Sequence, residues 1–131
     1  MRLIKTAYDN LSAYTTKDGS LIRELMHPAV HGGHNLSLAE AIVPAGTTTH
    51  LHCHVKTEEV YHITGGRGEM TLGNDRFAVS VGDTILIAPG TPHRIANTQA
   101  DTLKLLCCCS PPYSHEDTQL LSASALEAGP G

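Results

Sequence analysis

The chain has 131 residues, 40% of them hydrophobic, and a formal net charge of −4, which fits one domain (1–131) with a single buried core. No basic block is present, which argues against nucleic acid or an anionic membrane as partner, and no apolar run is long enough to span a bilayer. Residues 1–10 lack the apolar core of a signal peptide, so the expectation is a soluble, cytoplasmic protein. In chain order the elements are nearly all strands. Leu21–Met26 is a short strand ended by His27 and Pro28, and residues 29–35 read as a mobile loop. Ser37–Val43 is a strand closed by Pro44, Ala45 and Gly46. Strands at 47–54 and 59–64 follow, separated by a polar turn at Lys56, Thr57 and Glu58. The run 68–72 pairs with 76–81 through Gly73, Asn74 and Asp75, a strong hairpin signal. Strands at 84–88, 93–97 and 103–109 complete the set. A polar tail, 110–131, begins at Ser110, Pro111 and Pro112. Its Tyr113 and His115 would cap one mouth of the barrel if the tail folds back, followed by one helical turn within 122–128 and a frayed end at 129–131. Many short strands with Gly/Pro turns mark an all-β sandwich or barrel spanning about 36–109.

The four cysteines lie at 53, 107, 108 and 109. Three in a row cannot staple distant loops, so a reduced compartment is expected. Cys107 and Cys109 share one strand face and Cys108 the other. They read as small buried hydrophobes, with thiolate metal ligation as the alternative.

The chemistry concentrates in 46–66. Residues two apart on a strand share a face, so His52 and His54 point together, with His50 behind them. Glu59 opens the next strand and faces the imidazoles across a hairpin. Two imidazoles and a carboxylate suit a divalent transition metal and leave coordination positions open. On this spacing alone, surface histidines beside a solvated acidic turn explain the pattern equally well. The stretch 82–97 reads as strand, Pro/Gly turn, strand, and delivers His93. Nine histidines in the chain add weight to metal chemistry.

Together these stretches resemble the two motifs of the cupins. Gly46, His52, His54, Glu59 and Gly66 meet the first in full. Gly82, Gly90, His93 and Asn97 meet the second, with Ala88 where a proline is usual and Pro89 still stiffening the turn. The resemblance implies a cupin double-sheet jelly-roll barrel with His52, His54, Glu59 and His93 as metal ligands. It also implies a homodimer, in which Leu21–Met26 lies on the partner's sheet and covers an exposed edge.

Three neutral imidazoles and a carboxylate do not choose sharply among Fe(II), Mn(II), Ni(II), Zn(II), Co(II) and Cu(II); Fe(II) is favoured. Cupins with these ligands include dioxygenases, isomerases, lyases, decarboxylases and proteins that only bind ligands, so the fold does not name the reaction. A mononuclear non-haem oxygenase acting on a small organic molecule leads. A Lewis-acid isomerase, lyase or cyclase and a non-catalytic binding module are the alternatives. His50 suits a substrate contact or proton shuttle, against a rim histidine with no chemistry. Tyr61 shares the face of Glu59 and offers a hydroxyl to substrate, against a plain core aromatic. His62 points to the opposite face. Arg23 and Arg94 are candidates for gripping an anion, against ordinary surface charges. With Phe77 the lone Phe and no Trp, small aliphatic residues line the barrel and leave a modest pocket for a small molecule.

Overall fold

The computed structural model describes residues 2–127. Its strands are β1 (Tyr14–Thr15), β2 (Leu21–Met26), β3 (Ser37–Val43), β4 (His52–His54), β5 (Glu58–Gly65), β6 (Arg67–Leu72), β7 (Asp75–Ser80), β8 (Thr84–Ile87), β9 (His93–Ala96), β10 (Leu103–Ser110) and β11 (Thr118–Leu120). One turn of helix, α1 (Ser124–Glu127), follows.

Strand β10 sets the frame. Leu103, Leu105, Cys107 and Cys109 are buried while Lys104, Cys108 and Ser110 are exposed, the period of two that one buried face demands. β10 pairs antiparallel with β3 on one side and β5 on the other. They belong to a six-stranded sheet in the order β1-β2-β3-β10-β5-β8. A five-stranded sheet, β11-β4-β9-β6-β7, makes the second layer. The interior between them is filled by Ile63, Met70, Ile87, Ile95, Leu103 and Leu105, all under 2% exposed. The expected all-β double-sheet architecture is therefore present, with an aliphatic core and Phe77 packed at its margin. The 72–75 turn is the expected tight hairpin: Leu72 pairs with Asp75, and Gly73 has a positive φ of 58°.

Four local expectations are corrected. The strand at 47–54 shrinks to His52–His54. Residues 46–49 do pair with the 95–97 segment, but at His50 the backbone N–H turns to the Asp18 carbonyl, at 2.7 Å. That switch of partner breaks the alternation and leaves His50 exposed. Next, β4 and β5 are not hairpin neighbours: they lie in different sheets and face each other across the interior. Residues 27–32 form a tied turn rather than a bare loop, with the N–H groups of Val30, His31 and Gly32 all donating to the His27 carbonyl. Finally, the tail is not merely a cap, because β11 adds to the edge of the five-stranded sheet beside β4.

Strand β2 pairs with β3 of its own chain, and β1 covers its outer edge. The residues expected to fray, 129–131, lie outside the described residues.

Two motif glycines differ in what they protect. Gly66 has φ +77°, and a Cβ there would meet the Thr102 carbonyl oxygen at 2.5 Å. Gly46 has φ +72° but open space around it. Gly46→Ala is therefore expected to cost about 1–2 kcal/mol through backbone strain alone. Gly66→Ala should cost at least about 1 kcal/mol more, because the neighbouring backbone must also move. Denaturant midpoints of the two variants measure the difference.

Candidate metal centre

The site is assembled by cross-strand pairing. His52 on β4 is opposite His93 on β9, and their rings stand 4.2 Å apart between centroids. His54 on β4 is opposite Thr118 on β11. From the other sheet, Glu59 on β5 is opposite Cys109 on β10. The four expected ligand residues thus come together from two sheets, all nearly sealed from solvent, with His93 at 0% exposure.

Each imidazole is held by its Nδ1. In His52 this nitrogen donates to the His50 carbonyl at 2.8 Å, and in His93 to the Thr91 carbonyl at 2.9 Å. A carbonyl can only accept, so both rings carry their proton on Nδ1. His54 Nδ1 lies 3.0 Å from Thr118 Oγ1, whose own proton goes to the Ser114 carbonyl at 2.9 Å. That hydroxyl oxygen is left to accept, which assigns His54 the same tautomer. Three proton-free Nε2 atoms therefore turn inward, and one ligand nitrogen from each of the three histidines falls within 4.8 Å of the others. Glu59 Oε1 joins them, 3.2 Å from His54 Nε2 and 3.5 Å from His93 Nε2.

Glu59 Oε1 and His93 Nε2 are buried without a hydrogen-bond partner. Orphaned acceptors of this kind are costly unless something electropositive lies between them. The donor set fits one divalent ion bound through imidazole nitrogen and carboxylate oxygen, with Nδ1 partners fixing each ring.

Burial and the neighbouring His93 ring depress His52 to about 4, although Asp18 opposes them. Burial alone would raise Glu59; N–H donation and positive charge from the His54 and His93 rings outweigh it and hold the carboxyl at about 2, a role that falls to a cation when those rings carry their proton on Nδ1. Cys109 is pushed up by burial and by Glu59, so it remains a thiol and donates to Glu59 Oε2 at 3.2 Å. Cys109 is thus a small buried core residue, as expected, and its thiol also orients the carboxylate.

A narrow pocket adjoins these residues, with a cavity volume of about 40 Å³. Its walls are aliphatic on one side, from Ile22, Ala39, Ala41, Val43, Ile95 and Leu105. Tyr61 lines it, buried, its ring edge-on to His93 at 5.8 Å, and its hydroxyl is held protonated by burial and by Glu59. His50 does not reach it: its side chain lies outside against Gly19, which corrects the expectation of an inward His50. Arg23 stacks on Tyr8, 4.2 Å from the ring centroid, and donates to the carbonyls of Tyr8 and Leu11. Tyr113 lines the pocket with its ring 5.9 Å from His54, while His115 is exposed.

Asp18 and Thr118 escaped sequence reasoning. Asp18 sits in the β1–β2 turn with Oδ2 3.5 Å from His52 Nε2. The Thr16-Lys17-Asp18-Gly19-Ser20 run signals a turn, but nothing local says which site the turn overhangs.

The cupin domain family profile matches residues 39–109, just over half of the chain. The chain belongs to the cupin family. A protein of Methanocaldococcus jannaschii described as uncharacterised is 58% identical over 121 residues, covering 92% of this chain and 97% of that one. Among solved structures, a variant of Streptomyces Pac13 with uridine superposes with a TM-score of 0.75 at 14% identity, covering both chains fully. Pac13 is described as a nucleoside dehydratase. A predicted oxalate decarboxylase from Thermotoga maritima gives a TM-score of 0.67 at 21% identity, covering 77% of this cupin and 91% of that chain. At these identities the structural likeness carries the fold. No helix among the described residues is long and apolar enough to cross a membrane.

The depressed His52 and Glu59 values set an acid dependence. Between 6.5 and about 4 the unfolded chain protonates this imidazole while the folded cupin does not, so stability falls as pH drops through that window. Glu59 adds a further loss as pH falls from 4.5 towards about 2. The melting temperature of metal-free protein should decline over the first window, and His52→Gln should flatten that part of the curve in a calorimetric pH series.

Proposed function

We propose that this cupin is a metal-dependent enzyme acting on a small organic molecule, with His52, His54, Glu59 and His93 holding one divalent transition ion. The observation that carries the reading is the convergence of three proton-free Nε2 atoms on a carboxylate, with His93 Nε2 and Glu59 Oε1 sealed off and unpartnered. Bound there, the ion supplies Lewis acidity that polarises a substrate oxygen, or, as Fe(II), reactivity toward dioxygen.

The reaction class favoured is a Lewis-acid lyase, dehydratase or isomerase, with Mn(II), Ni(II), Zn(II), Co(II) or Cu(II) as alternatives to Fe(II). Asp18 supports it. Its Oδ1 is occupied by Thr16 and Ser20, while Oδ2 is the atom available to take up a proton from a molecule in the pocket. The protonated Tyr61 hydroxyl serves as a hydrogen-bond donor to that molecule. The aliphatic wall excludes water from the rest. The dehydratase activity of the structurally similar Pac13 is consistent with this class. The second reading, a non-haem oxygenase, is favoured by the ligand set itself, which leaves two positions open in an octahedral arrangement.

Elemental mass spectrometry after reconstitution with each ion tests the centre. About one equivalent of metal is expected in the wild type and close to none in His93→Ala; failure of every ion to bind the wild type would overturn the reading. Oxygen uptake by the iron form during turnover would move the assignment to the oxygenase. Thr118→Val, which removes the acceptor of His54 Nδ1–H, should weaken metal affinity about tenfold or more in chelator competition with the fold retained by circular dichroism.

A further inference from the structure

The pocket has a second polar feature, adjoining the metal residues at His52 and supplied by the N-terminal hairpin. Asp18 Oδ1 accepts three hydrogen bonds, from Thr16 Oγ1 at 2.7 Å, Ser20 N at 2.9 Å and Ser20 Oγ at 2.6 Å. Its other oxygen is left facing His52. Glu24, on the pocket-facing side of β2, repeats the arrangement. Its Oε1 accepts from the Tyr14 hydroxyl at 2.8 Å, while Oε2 is shut off from solvent with no partner at all. Two carboxylates are thus each oriented through one oxygen and left free at the other, and both line the same cavity.

No lysine or arginine among the described residues lines that cavity. The cations of the neighbouring segments are engaged elsewhere. Lys17 Nζ donates to the Thr118 carbonyl at 2.7 Å, and one terminal nitrogen of Arg23 donates to the carbonyls of Tyr8 and Leu11, with the guanidinium stacked on Tyr8 away from the cavity. Arg94 follows His93 on β9 and so alternates to the opposite face. With Glu59, the lining holds three carboxylates, so one divalent ion leaves a net charge of about −1. An anionic group entering this low-dielectric cavity meets repulsion rather than a partner. A free buried carboxylate oxygen, by contrast, rewards an O–H or N–H donor strongly.

We propose that Asp18 and Glu24 form a donor-reading wall that makes this cupin select an uncharged or cationic small molecule bearing hydroxyl or amino groups, and reject carboxylate and phosphate anions. The proposal rests on the metal reading above and adds the substrate class. It separates this chain from sites that bind oxalate-like dianions or phosphorylated sugars, whatever reaction follows.

The test uses the full chain loaded with Co(II), whose visible absorption shifts when an added ligand enters its coordination sphere. Two probes are titrated at mildly alkaline pH: oxalate, a small dianion, and imidazole, a neutral ligand that keeps an N–H donor. Wild type is compared with Asp18→Asn and Glu24→Gln. Oxalate is expected to bind about tenfold or more tighter in each variant, while imidazole binds more weakly or unchanged. A gain in one variant alone assigns the exclusion to that residue, and Glu24→Gln serves if Asp18→Asn disturbs the turn it braces. Co(II) uptake with oxalate no tighter in either variant overturns this proposal and leaves the metal reading intact. No Co(II) uptake by the wild type overturns both.

Discussion

Everything at the centre of this cupin depends on where three imidazoles put their protons. A histidine has two ring nitrogens, and a carbonyl or hydroxyl acceptor behind each Nδ1 forces the lone pair of Nε2 toward the interior. Three inward lone pairs and a carboxylate oxygen cannot satisfy one another, because all of them are acceptors. The barrel's aliphatic core shuts water away from His93 and Glu59, which sharpens the need for a cation. Cys109 contributes from the far side, since its thiol holds the second oxygen of Glu59 and leaves the first to face the rings. The site is a set of acceptors held apart by hydrogen bonds that point outward.

Much of this was legible in the sequence. The period of two along 103–109 identified β10 and the inward cysteines, and the spacing of His52, His54, Glu59 and His93 identified residues that the fold does bring together. Asn97 was legible as part of a motif but not as a brace. Its amide donates to the carbonyls of Val43 and Asp101 and its oxygen accepts from the Gln99 N–H, which ties the end of β9 to the end of β3 and to the loop before β10.

What failed did so for physical reasons. Period-two reasoning assumes an unbroken ladder, and at His50 the ladder changes partner from the 95–97 segment to the Asp18 turn. The side chain swings out, and Asp18 rather than His50 approaches the ligands from that direction. The same reasoning placed Glu59 across a hairpin, when β4 and β5 belong to opposite sheets and meet through the interior. Strand β11 carries too few residues and too little apolar alternation to be seen, yet its Thr118 sets the tautomer of His54. Long-range pairing, not local propensity, decides each of these positions.

The Lys17 ammonium, bonded to the carbonyl of Thr118 across 101 residues of sequence, joins the two ends of the chain directly beside the ligands. Because β10 ends at Ser110 and β11 begins at Thr118, the frame strand and the strand that tethers His54 enter the fold together. Loosening this one tie would release the Asp18 turn and the His54 tether at once.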